Sequence, residues 1–454
     1  MSTPERLALS GVDFFLLAAY LAATVWLGLR AARSRGMADY VLAGRGLSLP
    51  AFVATLVPSF FGGTLGVGEY AWRNGLSNWL VQGVPYYVFA LVYAFWLAPR
   101  VRARAGLTIP DHLEAAYGRP TAALGALLVF LLASPADEFL MLGTLARWST
   151  GWSLAVCVVL TAAASTVFLS RRGLRAGVGA NRLEFPVMYL GFFVVLPFAF
   201  RAVGGFGGMA AALPTGHLDW TGGQSPATIG GWWLIALWTF VDPAFHQRVL
   251  AAKDERTART GIALSAACWF VFDAMTTTAG LLARARLPDL AEPLAAYPAL
   301  AEAVLPPLFK GLFIAGVASS TLAAAASTTL LSAISLGRDA AGRFGPPADE
   351  ETVQRRTGAA LVVTAALGAA MALALPSVVA LWYTVGSCLI PGLLVPMAAA
   401  YWEPLKVGPR AGLACSAAGV GAATLSWAGG AEAPFVYGLA ASLTAWAAGR
   451  ALKR

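Results

Sequence analysis

Long apolar runs separated by short polar gaps extend along the chain. About thirteen of these runs have roughly the 17–25 residues with which a helix spans the hydrocarbon core of a bilayer. No water is available there, so a spanning segment must satisfy its own backbone hydrogen bonds, as a helix does. The pattern therefore predicts an all-α polytopic membrane protein. The predicted spans are approximately 11–31, 48–73, 77–98, 120–147, 152–170, 184–203, 227–246, 258–283, 304–337, 357–375, 377–401, 410–428 and 433–449.

Lys and Arg residues cluster in every second gap between the apolar runs. Arg30, Arg33 and Arg35 follow the first run, and later clusters lie at 171–182 and 338–356, whereas the intervening gaps carry few basic residues. Basic loops tend to stay in the cytoplasm. We therefore expect a multi-pass protein of the cytoplasmic membrane with its N-terminus outside and its C-terminus inside (N-out, C-in).

The composition removes several other classes of protein. The 454 residues are 58% hydrophobic and only 12% charged, unlike those of a soluble domain. The net charge of +9 comes from loop residues that act as topology signals and contact the lipid bilayer, so we expect no nucleic-acid partner. Neither HExxH nor GxSxG occurs, and the four cysteines lie in apolar segments. We expect one transmembrane domain over 1–454, with no enzyme activity, no disulfide, no cofactor and no obligatory protein partner.

Proline and glycine residues interrupt several spans. Such residues leave backbone groups without helical partners, and broken helices in related positions of two halves indicate a transporter site at the midplane of the membrane. The alternative is that these residues only bend their helices. The residues concerned are Pro58, Gly62 and Gly63 in the second span, Asp242 and Pro243 in the seventh, and Gly386, Pro391 and Pro396 in the eleventh.

Ionisable residues within the spans are candidates for function because charge is costly to bury in a membrane. Asp137 and Glu138 in the fourth span, with Glu69 after the second-span break, are candidate proton sites. For Glu69 the alternative is a position at the outer interface. Asp242 and Asp273 also lie at membrane depth, and a contact with Arg248 is the alternative for Asp242.

Ordered motifs over about residues 38–340 resemble the solute:sodium symporter family, in particular its proline-permease-like branch. The resemblance rests on the segment Asp39-Tyr40-Val41-Leu42-Ala43-Gly44-Arg45, the glycines from Gly62 to Gly68, Thr108-Ile109-Pro110-Asp111-His112-Leu113, the stretch from Asp242-Pro243 to Ala252, and the small-residue span from Lys310 to Asp339.

This resemblance implies a leucine-transporter-type core of two inverted five-helix repeats. The first repeat would cover about 48–203 and the second about 227–401, with peripheral helices at 11–31 and 410–449. Substrate would bind where the broken second and seventh spans meet. The substrate-site residues predicted in this way, together with nearby deep aromatic residues, are Gly62, Gly63, Thr64, Tyr86, Trp238 and Thr239.

The same resemblance places a sodium ion between the break of the second span and the ninth span. Carbonyls near Phe60 and Gly63 would bind it, but Ala323 and Ala324 stand where the family has two hydroxyl residues, and only Ser327 matches a later serine. Alanine offers no oxygen to a hard cation. We therefore expect sodium coupling to be weak or absent, and either Na⁺ or H⁺ remains open as a coupling ion.

The resulting functional expectation is a secondary active transporter of the symporter type, which moves a small polar organic solute across the membrane by alternating access. The alternatives are a proton-coupled or uncoupled solute carrier and a transporter-like solute sensor. The sequence does not specify the solute.

Overall fold

The computed structural model describes residues 4–31, 34, 36–169 and 173–452, and within these ranges the secondary structure is helical apart from one isolated bridge between Leu47 and Ala252. This confirms the predicted all-α class. The major helices are α1 (Gly11–Arg30), α2 (Leu49–Asn74), α3 (Trp79–Ala103), α4 (Arg119–Thr150), α5 (Leu154–Leu169), α6 (Leu174–Val203), α7 (Pro226–Ile235, continued by Ala236–Phe240, then Pro243–Ala251), α8 (Glu255–Arg286), α9 (Phe309–Phe344), α10 (Glu350–Ala374), α11 (Val378–Tyr401), α12 (Pro409–Ala428) and α13 (Pro434–Ala451).

Each predicted span overlaps one of these helices, although not all of the helices are long and apolar enough to cross a membrane unaided. Ten helices in the described part of the chain meet that condition. The exceptions are α5, whose apolar stretch is shorter, α7, which is divided, and α13. Several basic residues used to predict orientation, namely Arg33, Arg35, Arg171 and Arg172, lie outside the described residues, so the N-out, C-in topology stays a prediction.

Two of the predicted breaks are present, in α2 and α7. A 3₁₀ turn over Phe61–Gly63 separates the halves of α2. In α7 a 3₁₀ segment over Ala236–Phe240 is followed by the extended residue Asp242, whose carboxylate accepts a hydrogen bond from the amide of Ala244 at 2.6 Å. The expectation of a non-helical stretch in α2 is met only by this single tight turn, since the residues on both sides are helical.

The proline pattern misplaced one break and missed another. α11 is continuous although it contains Pro391 and Pro396. Its Gly386 instead permits close packing, because a Cβ there would lie 2.9 Å from a side-chain carbon of Ile235 in α7. In contrast, α4 is interrupted between Leu132 and Ala136, at the Ser134-Pro135 pair.

Small residues allow the central helices to approach closely. A Cβ on Gly191 of α6 would lie 2.9 Å from the Cα of Gly316 in α9, so these backbones are in direct contact. Such small-residue interfaces are typical of membrane helices, which associate through packing and hydrogen bonds. α9 also packs against both α2 and α4, whereas α12 and α13 pack on each other and on α11. The interrupted helix α2 is thus surrounded by protein.

The segment before α2 is tied to the end of α7. Leu47 donates its amide to the carbonyl of Ala251 at 3.0 Å and accepts the amide of Lys253 at 3.1 Å. Asp39 accepts from the Arg175 guanidinium at 2.6 Å. The side-chain nitrogen of Gln247 donates to the carbonyl of Val41 at 2.9 Å. The first and fourth motifs of the family resemblance therefore meet at one end of the molecule.

The third motif of the family resemblance, Thr108 to Leu113, takes part in a charged cluster at the end of α9. Asp111, in the short helix Ile109–Tyr117, accepts from Arg338 at 3.0 Å and from Arg343 at 2.9 Å. Burial alone would raise the pKa of Asp111, but the neighbouring Arg338 charge and hydrogen bonds lower it to about 2. Because this pKa is depressed, the cluster contributes its stability above about pH 4 and loses it as the pH falls towards 2.

The predicted topology gives a direct labelling test. A cysteine replacing the exposed Thr221, in the loop between α6 and α7, should react with a membrane-impermeant maleimide in intact cells. A cysteine replacing the exposed Ala348, between α9 and α10, should react only after the membrane is permeabilised. Cys157, Cys388 and Cys415 are buried, and a variant with all native cysteines replaced sets the background. The reverse labelling pattern would contradict the N-out, C-in topology.

Candidate functional site

The breaks of α2, α4 and α7 surround one internal cavity of about 180 Å³. Helices α3, α8, α9, α10 and α11 complete its wall. Its polar and aromatic lining residues are Ser59, Phe60, Phe61, Gln82, Tyr86, Ser134, Asp137, Glu138, Trp238, Thr239, Asp242, Asp273, Ser327, Thr328 and Trp382.

The two glycines of the α2 break are required by close contacts on two sides. A Cβ on Gly62 would lie 2.0 Å from the Cβ of Ala324 in α9, and a Cβ on Gly63 would lie 2.1 Å from the Trp382 ring in α11. Both separations are far below a van der Waals contact. The Gly62-Gly63 pair therefore lets α9 and α11 approach the turn from different directions.

Five of the six predicted substrate-site residues line the cavity: Gly62, Gly63, Tyr86, Trp238 and Thr239. The sixth, Thr64, is buried beside it and does not line it. The Thr64 hydroxyl donates to the Phe61 carbonyl at 2.6 Å and shares a hydrogen bond of the same length with the Ser320 hydroxyl. Thr64 thus holds the turn against α9.

The predicted cation-site residues lie where α2 meets α9, but they offer few free oxygens. Ala323 and Ala324 are buried, and Ala324 fills the space above Gly62. Phe60 presents its ring to the cavity and stacks on Trp269, with ring centroids 4.1 Å apart. Ser327 lines the cavity, and its hydroxyl has no hydrogen-bond partner among the described residues.

A carboxylate lies at this same junction. Glu138 Oε1 is 3.6 Å from the position that a Cβ on Gly62 would take, and Thr328 and Asp137 lie beside Glu138. The side chain of Glu138 is 4% exposed, and its Oε2 has no hydrogen-bond partner in the described part of the chain. Asp137 accepts from the indole N–H of Trp382 at 2.8 Å. The fourth-span acidic pair therefore reaches both the α2 break and α11.

The third candidate proton site, Glu69, is separate from the cavity lining. It is buried in the second half of α2, where it accepts from the Ser377 hydroxyl at 2.9 Å and lies 3.5 Å from Arg73. Ser377 is the N-cap of α11, and a carboxylate at a helix N-terminus interacts favourably with the helix dipole. Glu69 thus connects the second half of α2 to the N-terminus of α11.

Arg248 is buried next to the seventh-span break. It donates to the Ser59 hydroxyl at 3.0 Å and to the side-chain oxygen of Gln247 at 2.9 Å. Its charge also acts on Asp242. The contact considered between Asp242 and Arg248 is therefore electrostatic. The carboxylate of Asp242 accepts its hydrogen bond from the amide of Ala244 and so caps the second half of α7.

Sequence reasoning did not assign Gln82 or Trp382 to the site, and the deep aromatic residue Tyr87, next to Tyr86, does not line the cavity. Gln82 lines the cavity, and its side-chain nitrogen has no partner among the described residues. Tyr87 donates its hydroxyl hydrogen to Asp273, which links α3 to α8 behind the cavity. A glutamine inside the apolar third span was an available signal for Gln82, whereas the position of Trp382 depends on contacts with residues distant in sequence.

Comparisons with known proteins agree on one family. The family model described as "Sodium:solute symporter family" matches residues 40–403. Sodium/glucose cotransporter 4 of Danio rerio is 24% identical over 325 residues, which cover 63% of this chain and 48% of that protein. The sodium/pantothenate symporter of Escherichia coli (strain K12) is 24% identical over 386 residues, covering 79% and 78%.

A solved structure gives the same picture of the fold. The substrate-bound, outward-open Na⁺-coupled sialic acid symporter superposes with a TM-score of 0.79 at 15% identity, covering 97% of both chains. This likeness concerns the fold, which is of the leucine-transporter type. The chain spans about half the length of the first curated relatives it matches.

The contact between Gly62 and Ala324 predicts a compensating pair of substitutions. Gly62→Ala should destabilise the protein by about 1–3 kcal/mol, because the added methyl overlaps the Ala324 methyl in a packed core. In the Gly62→Ala background, Ala324→Gly should restore part of the lost stability, although the same change alone costs helix stability. Thermal unfolding of the purified single and double variants measures the coupling. Strictly additive effects would contradict the contact.

Proposed function

The chain belongs to the sodium:solute symporter family, and we propose that it is a secondary active transporter of the symporter type for a small polar organic solute. The observation that carries this proposal is the meeting of the α2 and α7 breaks at one cavity. Discontinuous helices at a repeat interface are the usual construction of such sites. The division into repeats at about 48–203 and 227–401, with peripheral helices on either side, is part of the proposal.

Alternating access would follow from motion around the fixed cavity. α2 and α7 are each interrupted at mid-length, and each contacts α11 through side chains or glycines next to its break. A change in the packing of these helices can therefore open the cavity to one side at a time. In this proposal Gly62, Gly63, Tyr86, Trp238 and Thr239 contact the solute, while Thr64 supports the turn.

Coupling to sodium is expected to be weak. Na⁺ is a hard cation that gives up water only for several comparable oxygen ligands. At the junction of α2 and α9, Ala323 and Ala324 supply none, and the hydroxyls of Thr64 and Ser320 are engaged with each other. Ser327 and backbone carbonyls are the remaining oxygens of the expected site.

A proton is the second candidate for the coupling ion. Glu138 would bind this proton, because its carboxylate lies beside Gly62 and Thr328, at the junction of α2 and α9. A carboxyl group that gains and loses one proton during the cycle would change the charge of this junction as a cation would. If Glu138 carries only the coupling proton and does not bind the solute, Glu138→Gln, which holds the neutral form, should retain exchange of solute between two compartments but lose uptake driven by a pH gradient.

Transport itself is tested by substituting two tryptophans of α7. Uptake of a panel of labelled sugars, amino acids, carboxylates and amines is measured in proteoliposomes. Trp238→Ala should reduce uptake of the transported solute at least tenfold, because Trp238 lines the cavity. The matched control is Trp233→Ala, since Trp233 lies on the same helix but donates to the Leu80 carbonyl outside the cavity. Binding of a solute without any uptake would instead favour a sensor, and equal effects of the two substitutions would contradict the site.

The coupling ion is tested by ion replacement at fixed pH. Replacing sodium by potassium should change the initial uptake rate less than threefold, because two oxygen ligands of the expected sodium site are absent. Potassium is used because an organic replacement ion could itself enter the cavity. A loss of uptake of tenfold or more in potassium would show that sodium is coupled through the remaining ligands.

A further inference from the structure

We propose that the cavity is built for a small organic cation, namely a quaternary or protonated amine. This inference rests on the proposed transport function and specifies the substrate class of the same site. It comes from the charges, the unpartnered oxygens and the aromatic groups that line the cavity.

The cavity lining is acidic. Four carboxylates face it, from Asp137, Glu138, Asp242 and Asp273, and no Lys, Arg or His is among the described lining residues. Arg248 acts on Asp242 from behind the lining. The other three carboxylates have no basic residue in the lining to balance them. A buried carboxyl group that is ionised requires a partner, so a solute that brings a positive charge favours the ionised form of these groups, and an anionic solute is opposed.

Two of these carboxylates retain an oxygen without a hydrogen-bond partner. They are Glu138, which is 4% exposed, and Asp273, which is 1% exposed; Oε2 of the first and Oδ1 of the second have no partner in the described part of the molecule. Glu138 lies on α4 and Asp273 on α8. Both residues line the cavity, from two different helices, so an ammonium group in the cavity would lie next to two carboxylates that each have a buried oxygen without a partner.

Aromatic rings supply the remaining wall. Phe60, Tyr86, Trp238 and Trp382 all line the cavity. Phe60 and Tyr86 meet edge to face, with ring centroids 5.5 Å apart. Ring faces attract cations, and aromatic cages with nearby carboxylates are a general means of holding quaternary ammonium groups. Sugars and other neutral polyols would leave the carboxylates unbalanced.

The size of the cavity limits the cation. Its volume is about 180 Å³. Pockets that bind drug-sized ligands usually have volumes of about 300–1,000 Å³. The occupant is therefore a compact amine with few heavy atoms.

The test compares amines with uncharged molecules of the same shape. The purified full chain in lipid nanodiscs is titrated with choline and with 3,3-dimethyl-1-butanol, its uncharged carbon isostere. Ethanolamine and 1-propanol form a second pair, and potassium chloride holds the ionic strength constant. Thermal unfolding is measured with each compound, and inhibition of the uptake of labelled amine into proteoliposomes is measured with the unlabelled amine and with its isostere. We expect the amine of at least one pair to raise the unfolding temperature, and to inhibit labelled uptake, at a concentration at least tenfold lower than its isostere requires.

Substitutions assign that preference to the cavity. Glu138→Gln and Asp273→Asn should each weaken the response to the amine at least tenfold and reduce the difference between amine and isostere. The matched control, Asp289→Asn, removes an exposed carboxylate outside the cavity and should leave both unchanged. Should a substituted protein fail to fold, the comparison of amine and isostere in the unmodified protein still decides the proposal.

The outcomes separate this inference from the proposed function. Equal responses to amines and isosteres, or a preference for sugars or carboxylates, would overturn the cation proposal while transport stands. Stabilisation by sodium or by acid alone, with no added effect of any amine, would assign the carboxylates to the coupling ion and also overturn it. If no solute of any charge binds or is transported, both the cation proposal and the proposed function are wrong.

Discussion

The structure depends on one constraint: a membrane provides no hydrogen-bond partner for an interrupted helix. The three breaks at Phe61–Gly63, Ala133–Pro135 and Ala236–Phe240 all lie on one cavity lined by several helices. Elsewhere, α11 remains continuous through two prolines. These three interruptions thus lie among other helices, where a solute could contact them.

Close packing around α2 makes this arrangement specific. Gly62 and Gly63 are the points at which α9 and α11 reach the turn, and the hydrogen bond between Thr64 and Ser320 fixes the turn to α9. Trp382 connects the α2 break to the acidic pair of α4, because its ring covers Gly63 and its indole N–H donates a hydrogen bond to Asp137. A movement of α11 would therefore act on the α2 break and on the acidic pair of α4 together. This coupling is the physical basis that we propose for linking solute binding to a change of access.

The sequence predicted features that depend on local chemistry. Apolar length identified the spans, and the Gly62-Gly63 and Asp242-Pro243 pairs identified the two breaks, because these residues alter the backbone wherever they occur. The break in α4 was not predicted, although Pro135 was visible, since similar prolines in α11 leave that helix intact. Proline removes one hydrogen bond, but the surrounding contacts decide whether the helix ends.

Within the site, sequence reasoning found residues on the two broken helices and on α3, α4 and α9, and it missed Gln82 on α3 and Trp382 on α11. Trp382 meets Asp137 across 245 positions of sequence, so only the packing of α4 against α11 brings them together. The position of Thr64 was mistaken for a similar reason. It follows the glycine pair directly, but the helical turn directs its hydroxyl to Ser320 in α9 rather than into the cavity.

The central claim is that the cavity between the α2 and α7 breaks is the site of alternating access. Ser327 suits its test, because it lines the cavity and its hydroxyl has no partner among the described residues. In a background without native cysteines, Ser327→Cys should react with a membrane-impermeant thiol reagent in right-side-out vesicles and also in inside-out vesicles. A saturating transported solute should slow both reactions. Reaction from one side only, or rates that the solute leaves unchanged, would contradict the account.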